Sequence, residues 1–273
     1  MKKDKWSTIL LIFILIAGLS LLLYPSFSDY WNSRTQSQVV ASYVDSVAHM
    51  DDDKYAEIWN EAKEYNRALL NRDNSFLLSP EARQQYNRIL DIAGNGIIAY
   101  VDIPAIDVFL PIYHGTDETI LQVAIGHLDW TSLPVGGEST HCVISGHRGL
   151  PSARLFTDLD ELAVGDVFML NVLDETLTYE IDQIKIVLPH ETTDLLIVPG
   201  EDHCTLVTCT PYGVNSHRML VRGKRIDNIK EAVTVRVTAD AVLVEKLVVA
   251  PFILAPILLV MLFWLMITTR KKH

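Results

Sequence analysis

Three side chains in this sequence make a set suited to acyl transfer. Cys209 ends the run Thr205-Leu206-Val207-Thr208-Cys209, Arg218 follows nine residues later in Asn215-Ser216-His217-Arg218, and His147 stands upstream in Ile144-Ser145-Gly146-His147-Arg148-Gly149. A thiolate can attack a carbonyl, an imidazole can shuttle the proton to and from an amine, and a fixed cation can stabilise an oxyanion. Taken singly, each residue has a blander reading. An isolated cysteine is more often buried filler, and surface histidines are common in a chain with nine of them. The joint pattern carries the argument, because His147 and Cys209 each lie just past an apolar strand and a strand-borne arginine follows the thiol.

The elements that must position this set change character along the chain. Between about Thr35 and Leu70, apolar residues at three-to-four spacing (Val40, Tyr43, Val44, Val47, then Ile58, Ala62, Tyr65, Leu69) predict helix, with a break and new N-terminus at Asp51-Asp52-Asp53. An irregular stretch, 71–78, precedes a short helix expected from Pro80 through Tyr86 to Leu90, and Gly94-Asn95-Gly96 closes the helical part. Strand patterns then occupy 97–103, 108–113, 142–144, 167–172, 177–187, 206–208 and 219–222. Short strands between Gly and Pro turns predict a mainly β fold, a barrel or a sandwich. Pro211 cannot extend a central ladder, so the Cys209 side chain should emerge near a strand end.

Both ends of the chain are apolar. Lys2-Lys3-Asp4-Lys5 precedes a run from Ile9 to Tyr24, short for a span and readable as a signal anchor or a signal peptide. Ser26-Phe27-Ser28 is a poor cleavage site, so retention is expected. Residues 247–268 carry no charge and precede Arg270-Lys271-Lys272, which reads as a transmembrane helix. Basic flanks favour the cytoplasm, which places both termini inside and the region from about 26 to 245 outside. Without the terminal segments, 17 of the 23 basic and 33 of the 34 acidic residues remain, a net charge near −16. That balance disfavours nucleic acid and anionic lipid and suits polypeptides with exposed lysines.

Three cysteines outside the cell leave one unpaired. Cys142 and Cys204 could face each other if their strands are neighbours, and both a disulfide and two buried thiols stay open. His114, His127, His141, His190 and His203 show no metal-ligand spacing, so no metal and no cofactor is expected. With ordinary pKa values of about 8.5 for Cys and about 6.5 for His, the neutral pair outnumbers thiolate–imidazolium roughly a hundredfold, a gap of about 2.7 kcal/mol. Arg218 should narrow it by favouring thiolate.

The TLVTC run ending at Cys209, the segment His147-Arg148-Gly149-Leu150-Pro151-Ser152-Ala153, Cys209-Thr210-Pro211-Tyr212-Gly213 and His217-Arg218 together resemble the sortases, membrane-bound cysteine transpeptidases of Gram-positive bacteria, and within them the pilin-polymerising class C. The likeness extends over nearly all of residues 35 to 268. It implies an eight-stranded sortase β-barrel with an N-terminal helical extension and terminal transmembrane helices. It also implies a membrane enzyme that cleaves an LPxTG-like sorting signal after Thr through Cys209, with His147 as acid and base and Arg218 at the oxyanion or the peptide. The partners would be pilin subunits that supply sorting signals and acceptor lysines. Class C enzymes resemble one another in an Asp-Pro-aromatic lid. Here the matching stretch is Asp73-Asn74-Ser75-Phe76, with no proline, the acid replaced by Asn74 or displaced to Asp73, and Phe76 kept as the plug. A looser lid is therefore expected, with Phe76→Ala changing thiol labelling at Cys209 only modestly.

The expected organisation is a cytoplasmic basic end (1–8), the signal segment (9–25), the helical extension (26–93) with a lid at 71–79, the barrel (94–230), a juxtamembrane linker (231–246), the span (247–268) and a cytoplasmic tail (269–273). Three alternatives remain at this stage: a cell-wall-anchoring sortase using a peptidoglycan-precursor amine, a non-catalytic assembly scaffold, and a hydrolytic cysteine protease.

Overall fold

A computed structural model describes residues 2–70 and 78–228. The lid candidates Asp73, Asn74 and Phe76 and the expected C-terminal span lie outside the described residues.

Helix α1 (Lys2–Ala48) includes the whole N-terminal apolar run, and Pro25 lies within it. The sequence suggested an anchor that ends near residue 25 and a separate helix from about Thr35; one continuous helix covers both. Its first part exposes large apolar side chains, among them Leu10, Leu11, Phe13, Leu21 and Leu22. The helix is long and apolar enough to cross a membrane.

From Trp31 onward the described chain forms one compact unit. Helix α2 (Asp52–Leu69) starts where the acidic triplet predicted. The Asp51 carboxylate accepts a hydrogen bond from the Lys54 N–H at 2.8 Å, while Asp52 and Asp53 sit in the first turn, where the helix dipole favours negative charge. Helix α3 (Pro80–Tyr86) is capped by Ser79 and has proline at its start. It stops at Tyr86, short of the expected Leu90, which adopts a left-handed φ of 67° that no helix continues through.

Eight strands follow: β1 (Ile97–Ile103), β2 (Val108–His114), β3 (Ile125–His127), β4 (Thr140–Ser145), β5 (Val167–Val172), β6 (Glu175–Val187), β7 (Asp202–Thr210) and β8 (His217–Ile226). They close a barrel in the order β1-β2-β3-β4-β7-β8-β6-β5. The pairs β2–β3 and β4–β7 are parallel and the others antiparallel. The expected barrel is therefore present, with β3 as a strand that the hydrophobic pattern did not reveal. Three residues are too few to show a period.

One core joins barrel and extension, with Tyr43, Ala62, Tyr65 and Tyr86 from the helices packed with strand residues such as Ile98, Ile144, Phe168 and Leu206. Polar ties fix the extension. The Asn66 side chain donates to the Leu133 carbonyl at 3.0 Å and accepts from the Leu133 N–H at 2.8 Å. The Tyr86 hydroxyl lies 2.9 Å from Nδ1 of His127, whose Nε2 lies 2.8 Å from the Ser132 carbonyl. Both ring nitrogens of His127 are therefore paired. A buried network with both ring nitrogens paired holds α3 against β3 in one orientation.

Candidate functional site

Strands β4, β7 and β8 are consecutive neighbours in the barrel, and this adjacency gathers the three candidate residues. The parallel β4–β7 register ends at Ser145↔Val207. Two residues further along each chain stand His147 and Cys209. On the other side, Cys209 is the direct register partner of Arg218. Neighbouring strands lie about 4.8 Å apart, so His, Cys and Arg occupy one line across three strand ends.

Strand alternation decides which face they share. Cys142, Ile144, Cys204, Leu206 and Val221 belong to the barrel interior. Val143, Val207 and Leu220 form a separate apolar cluster with Leu195, flanked by Leu128, Trp130 and Val187. This second set lies on the outer face, because successive side chains alternate. Cys209 falls two residues after Val207 and Arg218 two before Leu220, so both belong to that outer face. The thiol is half-buried at the end of an apolar floor that an extended peptide could lie along.

The chain around His147 is tightly held. Gly146 donates its N–H to the Val207 carbonyl at 3.0 Å and accepts from the Thr208 hydroxyl at 2.8 Å. A Cβ on Gly146 would meet Ile125 Cγ2 and Phe156 Cδ2 at 2.8 Å, so only glycine lets the backbone approach this closely. Past the histidine, Phe156 N–H donates to the His147 carbonyl at 3.2 Å, and Arg148 pairs with Asp160. Gly149 has φ +76°, and a Cβ there would fall 2.6 Å from the Tyr212 ring. Tyr212 lies on the β7–β8 connection, so that connection and the segment after His147 approach closely.

Arg218 is oriented by carbonyls. Its Nη1 donates to Asn215 at 3.2 Å and to His217 at 3.1 Å. Among the described residues it forms no ion pair. His147 is 27% exposed, and its Nε2 lies 3.7 Å from Oε1 of Glu118 in the short helix α4 (Glu118–Leu121). Sequence reading missed Glu118, which reaches the site from the β2–β3 connection, and the apolar floor, which three separate strands assemble.

The remaining thiols and histidines have other roles. Cys142 and Cys204 are direct register partners on β4 and β7, and both are buried free thiols in the core. Burial pushes the Cys204 thiol well above its usual range. His203 and Cys204 point to opposite faces as adjacency requires, with His203 stacked edge-on against His141 at 5.5 Å. His141 bridges the Leu196 carbonyl at 2.9 Å and the Thr205 hydroxyl at 2.7 Å, and burial lowers its pKa to about 4. His217 is half-exposed beside Arg218 and lies 2.9 Å from the Ser216 hydroxyl. No group of three or more His, Cys, Asp or Glu side chains suited to a metal ion occurs among the described residues.

Known proteins are similar to this chain in sequence and fold. Residues 101–226 match the Sortase domain family. The crystal structure of sortase C1 from Streptococcus agalactiae is 51% identical, with 70% of this chain and 100% of that one covered at a TM-score of 0.69. A Streptococcus pneumoniae sortase C structure, described as informative on catalysis and pilin substrate specificity, is 46% identical over 70% of this chain and 97% of that one, with a TM-score of 0.64. Sortase D of Bacillus subtilis is 33% identical over 129 residues, which span 46% of this chain and 62% of that protein. The match to sortase A of Streptococcus agalactiae spans about half of that relative, 47%.

Proposed function

This chain belongs to the sortase family, in its class C branch, and we propose that it is a membrane-anchored cysteine transpeptidase that joins pilin subunits. The observation that carries this reading is the line across three strand ends: His147 and Cys209 two residues past the β4–β7 register, and Arg218 opposite Cys209 on β8.

The chemistry follows from that line. The Cys209 thiolate attacks the Thr carbonyl carbon of an LPxTG-like signal lying on the apolar floor, and the Arg218 guanidinium stabilises the charge that develops on the carbonyl oxygen. The C–N bond after Thr breaks as His147 passes a proton to the departing amine, which leaves a thioester on Cys209. A pilin lysine then attacks the thioester carbon, gives a proton to His147, and releases the thiolate as the isopeptide bond forms. Only the attacking amine differs between this reaction and cell-wall anchoring. The helical extension built from α2 and α3 and the sortase C likeness favour the pilin lysine. The apolar first part of α1 would hold the enzyme in the membrane, with the barrel on the outer side.

The test is mass spectrometry of the chain mixed with a sorting-signal peptide, then with a pilin domain or a glycine-type amine. The reading expects an acyl adduct on Cys209 ending at Thr, release by pilin lysine, and neither in Cys209→Ala. Polymer assembly that survives Cys209→Ala would identify a scaffold instead. Preferential release by water or by the glycine amine would assign a protease or a cell-wall enzyme.

A further inference from the structure

The imidazole of His147 has two nitrogens with different surroundings. Nε2 is buried, makes no hydrogen bond among the described residues, and lies 3.7 Å from Oε1 of Glu118. That distance is within ion-pair range and just beyond hydrogen-bond reach. Glu118 reaches His147 from α4, where the Gln122 amide donates to the same carboxylate oxygen, and its side chain is otherwise largely in solvent. A buried ring nitrogen beside a carboxylate has one natural state, protonated on that nitrogen and aimed at the acid.

We propose that Glu118 is a positioning residue for His147: its carboxylate holds Nε2–H and leaves Nδ1 to exchange the proton with Cys209 and with the substrate amines. This rests on the transpeptidase reading and extends it, making a Cys–His–Glu relay in which the acid comes from the β2–β3 connection. The physical need is a single tautomer: the thiol proton can pass only to an unprotonated Nδ1, and a carboxylate that holds Nε2–H fixes that form. Arg148, beside His147 in the chain, is paired with Asp160 and does not compete for Glu118. Asp117, which precedes α4, adds a second negative charge on the Glu118 side.

The experiment uses the full chain and two readouts. The first is the pH dependence of kcat/KM for acyl-enzyme formation with a sorting peptide. Glu118→Gln should lower it about two- to fivefold at neutral pH, the range of an exposed ion pair. Glu118→Asp should restore part of the loss. Gln122→Ala, which removes the carboxylate's helix partner but leaves the charge, should match the parent. Because Glu118 is largely in solvent, the difference should shrink at high salt. The second readout is the ring nitrogen NMR spectrum of His147 in a Cys209→Ala background, where the parent should carry its proton on Nε2 and Glu118→Gln should shift it toward Nδ1. An unchanged tautomer, or a Gln122→Ala variant that reproduces the whole effect, overturns the proposal. Failure of the parent chain to form any acyl adduct would instead overturn the transpeptidase reading, while the ring spectrum would still decide the role of Glu118.

Discussion

Gly146→Ala tests how the fold holds the imidazole in place. The added methyl would lie 2.8 Å from both Ile125 Cγ2 and Phe156 Cδ2, and both side chains are fully buried. Ordinary carbon contacts lie near 3.5–4.0 Å, so the backbone or its neighbours must give by about 0.7 Å. The neighbours are enclosed in the core, and Gly146 is tied to β7 by two hydrogen bonds. Relief therefore pulls the end of β4 away from β7 and carries His147 with it. Overpacking of this kind costs about 1–3 kcal/mol, which for a domain of this size lowers Tm by roughly 2–12 °C. With His147 as the proton carrier proposed above, a misplacement of about 1 Å can cost 10²-fold in rate, so a shift of ~0.7 Å should cost on the order of tenfold or more. The assay pairs a thermal melt with the rate of acyl-enzyme formation at a temperature well below the melt. Phe156→Leu in the same chain should recover part of both losses through coupling between the touching groups. A Gly146→Ala chain with parental Tm and parental rate would refute the claim that close packing at Gly146 sets the position of His147.

Three further outcomes follow from the same geometry. Under native conditions a thiol reagent should modify Cys209 and spare Cys142 and Cys204, which react only on unfolding because they are buried in the core; native labelling of either core thiol would contradict this packing. Asn66→Ala should destabilise the chain by about 2–4 kcal/mol in urea titrations, since it strands the buried N–H and C=O of Leu133, and a change under ~0.5 kcal/mol would show that water replaces both bonds. Stability should fall as pH drops from about 6.5 to about 4. His114 and His141 are held near 4, in both cases chiefly by burial, so the unfolded chain binds more protons throughout that window and each histidine withdraws on the order of 3 kcal/mol. Urea midpoints at pH 7, 5.5 and 4 measure this, and a flat profile across them would sink it.

What was legible in the sequence was local. Asp51 and Ser79-Pro80 mark helix starts because capping and dipole effects act within one turn. Most strands were visible because alternation is a local property, and Cys209, His147 and Arg218 stood out by residue type and by their place past strand ends. Helix ends were less legible: Leu90 has the apolar character of a helix residue but takes a left-handed turn instead. The β3 strand was invisible at three residues, held by pairing with β2 and β4 and not by its own pattern.

By itself, then, the order of residues determined the chemical kit, the mainly β character and the apolar N-terminal run, since each depends on composition or on neighbours a few positions apart. Only the tertiary structure decided that His147 and Cys209 each stand two residues past the last β4–β7 pair, where Gly146 and Thr208 bond although 62 positions apart. It alone placed Cys209 and Arg218 on the outer face with Val143, Val207 and Leu220, turned Cys142 and Cys204 toward each other in the core, and brought Glu118 to the imidazole. The physical reason is that parallel pairing needs a long crossover, so its register is set by barrel closure and core packing and by no signal confined to either strand.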